Sequence, residues 1–245
     1  MELHFANRMR ELADRAFREG RYFYSDFLSE SECLELRQEQ TKFSYAGLVL
    51  FGGAEGCAWQ IARFGNCGYD EPFPVSCLKI LPKSRKFAQP YTHRDLLGAL
   101  LSLGLERSAI GDLVIGEDCS YAFCLSRIAL YLCENLTSVR RTDVTCAVTE
   151  ERPAVASERK SERATLSSLR CDVVVCAAYR LSRADALEYF RSERVSVNGK
   201  ICTENAKELK SGDCVAVRGK GKFYLGECGG MTRKGKYAVE LLFPV

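Results

Sequence analysis

Six short runs decide how the middle of the chain folds: VSCLKIL (75–81), HRDLLGALLSL (93–103), GDLVIG (111–116), SYAFCL (120–125), RIALYLCENL (127–136) and DVTCAV (143–148). The first, third, fourth and last are short and apolar or alternating, as strands are. The second and fifth put apolar residues on one face at helical spacing. Their order, β-α-β-β-α-β, predicts the split βαβ arrangement of ferredoxin-like folds over residues 74–150.

Working outward, residues 1–73 predict a helical N-terminal domain with a hairpin. Phe5, Leu12 and Ala16 share a face of a first helix over residues 3–17, and Ser29 followed by Glu32 is a capping-box pattern that opens a second. GLVLFGG (47–53) and AWQIARF (58–64) read as a hairpin. On the other side, TEERPAVASERKSERAT (149–165) is charged, contains Pro153 and lacks apolar periodicity, so residues 151–164 read as a linker. Beyond it, residues 165–245 predict a small α+β domain: a helix from Leu169 to Tyr179, a second capped by Ser182 and running to Arg191, and a tight turn at Asn198-Gly199 between two short strands. The fold class expected for the whole is α+β.

Composition narrows the function. The 13 cysteines are scattered without a CxxC pair and there are two histidines, so the reading gives no metal site and treats the cysteines as buried apolar residues of a reducing compartment. The charged N-terminus and the lack of a long apolar run predict no membrane span and a cytoplasmic protein. Residues 159–245 carry 17 Lys and Arg against 10 Asp and Glu, whereas residues 1–158 carry 18 against 22. A basic C-terminal third on an acidic body points to a polyanion partner.

The basic candidates for RNA binding follow from that asymmetry: Arg170, Arg183, Arg191, Arg194, Lys200, Arg218, Lys220 and Lys222. Arginine and lysine supply the phosphate contacts that dominate nucleic-acid affinity, and arginine also stacks on unpaired bases. Glycines 199, 219 and 221 allow backbone N–H groups to approach phosphates. In the middle domain, Tyr121 and Phe123 stand two apart on a strand, as the stacking aromatics of an RNA-recognition sheet do. The other reading of the pair is core packing.

Arg170-Cys171-Asp172, Ser182-Arg183-x-x-Ala186, Val195-x-Val197-Asn198-Gly199-Lys200 and Ser211-Gly212-Asp213 together resemble the S-four RNA-binding domain. That family has leucine where Cys171 stands and glycine where Glu193 stands, and a left-handed cap is harder for glutamate. FGGAEG (51–56) and residues 93–115 extend the likeness to the YlmH family of ribosome-associated proteins. The resemblance implies that Ser182, Arg183, Arg194, Asn198, Gly199 and Lys200 are RNA-binding positions, and it implies binding to ribosomal RNA and the large ribosomal subunit, with tRNA as a further partner, in rescue of stalled nascent chains. The expected form is a monomer without cofactor. Three alternatives are an RNA-modifying enzyme, a protein-interaction adaptor, and a relative involved in photosystem assembly. His93-Arg94-Asp95-Leu96 copies the start of a kinase catalytic loop without the other kinase motifs and reads as a helix start, so no enzyme is expected.

Overall fold

A computed structural model describes residues 3–155, 159–231 and 235–244. The chain divides into two compact units, residues 1–156 and 157–245.

The first unit opens with α1 (Leu3–Glu19), β1 (Phe23–Leu28) and α2 (Glu30–Gln38). Phe5, Met9, Ala13 and Ala16 form the buried stripe of α1, spaced so that they fall on one side of the helix. Ser29 caps α2 as its sequence predicts: its hydroxyl accepts the Glu32 N–H, and the Glu32 carboxylate accepts the Ser29 N–H at 2.7 Å. A 3-10 helix (Gln40–Ala46) leads to β2 (Val49–Phe51) and β3 (Gln60–Phe64). The expected hairpin pairs as β2 with β3, and β1 joins the other edge of β3. β1 is the strand that sequence reading leaves out, because FYSDFL alternates too weakly to stand apart from the helix before it.

Then come β4 (Val75–Pro82), α3 (His93–Leu101), β5 (Ile110–Ile115), β6 (Ser120–Leu125), α4 (Ser126–Asn135), β7 (Ser138–Val139) and β8 (Thr142–Thr149). The spatial order β5-β6-β4-β8-β7 is antiparallel throughout. This is the expected split βαβ arrangement, with β7 added as a short edge. α3 does begin at His93, and its N-terminus is closed by a second capping box between Thr92 and Asp95.

Both faces of this five-stranded sheet are covered. Leu78, Ile80, Ala122 and Cys124 pack under α3 and α4 through Leu96, Leu100, Ala129 and Leu132. On the opposite face, Val75, Cys77, Tyr121, Phe123 and Leu125 pack with Phe27, Cys57 and Ile61 of the N-terminal layer. Every residue of β6 is buried as a result. Gly53 shows how close the approach is, since a Cβ there would lie 2.5 Å from the Phe123 ring and 2.9 Å from Val75. Tyr121 and Phe123 are therefore core residues, as the packing reading of that pair expects. Residues 1–73 and 74–150, drawn apart in the sequence, share this core.

Residues 151–155, from the expected linker, run back over the N-terminal layer, with Val155 N–H donating to Glu55 C=O at 3.0 Å and Arg152 Nη1 to Gly53 C=O at 3.0 Å. Residues 156–158 lie outside the described residues, and Arg159–Leu166 forms β9, an edge strand of the second unit. Its alternating polar residues read as a joint because only one face of an edge strand is apolar.

The second unit continues with α5 (Cys171–Tyr179), α6 (Arg183–Arg191), β10 (Val195–Val197), β11 (Lys200–Ile201), β12 (Cys214–Val217), β13 (Gly221–Met231) and β14 (Tyr237–Pro244). They build a six-stranded sheet in the order β11-β10-β12-β13-β14-β9. Val195, Val197, Val215, Val217, Phe223, Leu225, Val239 and Leu241 face Val174, Val175, Ala186 and Phe190 of the two helices.

All 13 cysteines are free thiols, six of them buried and none fully exposed. Burial pushes the Cys33, Cys57, Cys124 and Cys171 thiols up to about 12, which keeps them protonated. Among the described residues no cluster of His, Cys, Asp or Glu has the makings of a metal site, and no helix is long and apolar enough to cross a membrane.

Candidate nucleic-acid interface

The eleven candidate residues fall into three structural roles. Arg170 and Arg183 converge on Asp172, which is fully buried at the start of α5. The Asp172 carboxylate accepts from Arg170 Nε (3.1 Å) and Nη2 (2.8 Å), from Asn205 Nδ2 (3.1 Å) and from Val173 N–H (2.9 Å), with Arg183 Nη2 at 3.8 Å. Burial alone would raise the pKa of this carboxyl. The Arg170 hydrogen bonds and charge, with those of Val173 and Asn205, outweigh it and hold the group below the usual carboxylate range. The buried anion thus fixes the Arg170 guanidinium through two hydrogen bonds and attracts the exposed Arg183 guanidinium across 3.8 Å. The first N–H groups of α5 are already satisfied, Cys171 donating to Lys207 C=O and Asp172 to Asn205 C=O.

A second group surrounds an open cleft of about 550 Å³ on the outer face of the sheet, where Arg194, Gly199, Arg218 and Lys222 meet. Register explains it. Ile201 pairs with Ser196, Ser196 with Ala216, and Ala216 with Lys222, so small side chains floor the cleft between Ile201 and Lys222. Ile201 is 63% exposed there. Arg194 is held rather than loose: its Nη2 donates to Arg218 C=O at 2.9 Å, its guanidinium carbon sits 4.8 Å from the Tyr189 ring centre, and its own carbonyl accepts the Arg218 N–H at 2.8 Å. Lys200 lies on the hairpin beside the cleft and Lys220 in the turn between β12 and β13; both are exposed. Arg191 is exposed on the last turn of α6, three residues before Arg194.

In the third group the side chain serves the fold. Ser182 caps α6, its Oγ accepting the Asp185 N–H (3.1 Å) and donating to Asp185 Oδ2 (2.7 Å). Asn198 donates through Nδ2 to Asp213 Oδ1 (2.9 Å) and accepts the Cys214 N–H on Oδ1 (2.8 Å). Asn198 and Gly199 have φ of 51° and 78°, the pair of positive values that the tight turn requires. Glu193 also sits at positive φ, 54°, at the position where the resembled family has glycine. The left-handed geometry is kept there with glutamate in the glycine's place.

Residues 70–152 match the family described as "Putative RNA-binding domain in YlmH". The chain is 31% identical over 151 residues, covering 60% of it, to the Bacillus subtilis (strain 168) ribosome-associated protein quality control protein P2, and the match spans 58% of that protein's length. Among solved structures, the cell division protein ylmH from Streptococcus pneumoniae matches at a TM-score of 0.51 with 15% identity, over 61% of this chain and 89% of that one. At that identity the likeness is one of fold. The family match falls on the middle domain, whereas every candidate residue drawn from the sequence lies in the second unit.

Proposed function

We propose that the chain is an RNA-binding protein that associates with the ribosome and docks through the basic surface of its C-terminal unit. The observation that carries the reading is the gathering of Arg194, Arg218 and Lys222 about one open cleft, in a chain similar to a protein named as ribosome-associated. Residues 165–245 act as an S-four-type RNA-binding domain. Arg170 and Arg183, oriented by Asp172, form one group of phosphate contacts; the cleft, with Lys200 and Lys220 beside it, forms the other. Ser182 and Asn198 hold the helix pair and the hairpin in the geometry those contacts need. The target is ribosomal RNA of the large subunit together with peptidyl-tRNA, and the role is quality control of stalled nascent chains in the cytoplasm. The proposal assigns no catalytic step and no cofactor, and the protein acts as a monomer.

Sedimentation with purified ribosomal subunits at low and high salt tests this directly. Comigration with large subunits that disappears as salt rises is the expected result, because binding releases counterions from each neutralised phosphate. Arg218→Ala with Lys222→Ala should weaken association and flatten the dependence on log salt by roughly 0.9 for each phosphate that is no longer neutralised. A chain that stays at the top of the gradient at low salt overturns the ribosomal assignment, and a salt response unchanged by the double substitution overturns the cleft.

A further inference from the structure

One end of the five-stranded sheet carries positive charge that the acidic balance of residues 1–158 conceals. After β4 the chain runs Lys83-Ser84-Arg85-Lys86-Phe87, all exposed. A turn closed by the Phe87 N–H on Ser84 C=O (3.3 Å) sets Arg85 and Lys86 at its corners. The loop is pinned to the neighbouring hairpin. Lys83 N–H donates to Asp143 C=O (2.9 Å), Gln89 N–H to Thr142 Oγ1 (2.9 Å), and the hydroxyl of buried Thr142 to Gln89 C=O (3.0 Å). That hairpin, β7–β8, turns on just two residues, Arg140 and Arg141, both exposed.

Two features break local rules. A two-residue hairpin favours Asn and Gly, yet this one holds Arg140 at φ 54°. Phe87 stands 73% exposed on a pinned loop, with Lys86 Nζ 5.7 Å from its ring centre. Arg140 Nη1 also lies 3.6 Å from Asp95 Oδ2 and remains 63% exposed, and positions that violate local preference are expected at functional or strained sites. Beneath the loop, a cleft of about 370 Å³ opens between residues 82–91 and the β5–β6 turn, with Arg85 tied to Asp118 at its rim (3.2 Å).

We infer that this end of the sheet is a contact for unpaired RNA: Phe87 stacks on a base freed from pairing, while Lys83, Lys86, Arg140 and Arg141 hold the phosphates on either side. The inference rests on the RNA-binding reading above and adds the single-stranded class of ligand and the residues that meet it. Stacking aromatics beside a basic track are how proteins hold single strands, because every base offers a ring face. The sheet face that would otherwise do this is sealed by Phe27, Cys57 and Ile61.

The experiment uses the full chain and a short fluorescent RNA, unpaired or annealed into a perfect duplex, read by anisotropy at fixed salt. Phe87→Ala should weaken binding to the unpaired strand about tenfold, within the range for loss of one stacked base, with duplex binding unchanged. Phe87→Tyr should restore it. Arg140→Ala with Arg141→Ala should weaken both and lower the salt slope. If wild type binds RNA and Phe87→Ala binds the unpaired strand equally well, this inference is overturned while the general RNA-binding reading stands. If wild type binds neither RNA, both fall. A loss confined to capture of a ribosomal protein, with RNA binding unchanged, makes the loop a protein contact and overturns the inference.

Discussion

The two large sheets of this chain have opposite fates on their outer faces. In the five-stranded sheet, Tyr121 and Phe123 face an N-terminal layer that leaves them 7% and 0% exposed. In the six-stranded sheet, the end built from β11, β10 and β12 leaves Ser196, Ala216 and Ile201 lining an open cleft, ringed by Arg194, Arg218 and Lys222. The lesson is that strand order does not decide whether a sheet can meet a ligand. What decides it is whether another layer of the same chain has already claimed the face.

Unfolding measurements test this contrast directly. The largest effect belongs to the sealed sheet, where Phe123→Ala should cost about 3–5 kcal/mol in urea titration, as truncation of a fully buried aromatic does. Ser196→Ala on the open face should change stability by less than about 0.5 kcal/mol, the usual range for surface substitutions. Similar costs at the two sites would remove the distinction.

Acid titration probes the second unit. The Asp172 carboxyl titrates lower in the folded chain than in the unfolded one, whose ordinary value is 3.8. Its contribution is therefore fully present above that value and is lost as pH falls through the folded one. Asp172→Asn should remove this acid-labile part and cost about 2 kcal/mol near neutral pH, the scale of hydrogen bonds to a charged group. A variant with the same acid profile as wild type would take Asp172 out of its orienting role.

Two smaller effects concern local strain. Glu193→Gly should stabilise the second unit by about 1 kcal/mol, since glycine accepts positive φ without the Cβ penalty. A thermal midpoint that fails to rise would mean the glutamate side chain makes good the strain. Tyr179 packs against the core of the same unit between Phe223 and Phe243, with ring centres at 5.7 and 6.3 Å, and its buried hydroxyl has no hydrogen-bond partner among the described residues. Burial pushes its pKa up to about 12. Tyr179→Phe should be neutral or stabilising by up to about 1 kcal/mol, and a drop in stability would reveal a partner for that hydroxyl.

Local chemistry made much of this legible in advance. Ser29 with Glu32 and Ser182 with Asp185 dictate their structure through bonds to residues three positions away, and Asn198-Gly199 does so by accepting positive φ, so their spacing is enough to read them. The helices and central strands of the ferredoxin-like part announced themselves through periodicity. β1, β9 and β14 did not, because half-exposed strands at or near a sheet edge carry a weak pattern and gain definition only from their partners.

The charge asymmetry pointed to the second unit, and the side chains that line its cleft do come together there. Yet the same averaging hid the basic loop at Lys83–Lys86, whose charges cancel in the sum over residues 1–158. The turns, the caps, the β-α-β-β-α-β order and the basic end of the chain are all consequences of neighbouring residues or of simple counts. It took the assembled fold to show that Tyr121 and Phe123 are core and that a buried aspartate holds Arg170 with Arg183 close by. Burial and long-range hydrogen bonding depend on which distant segments meet, and that information is not contained in any local window.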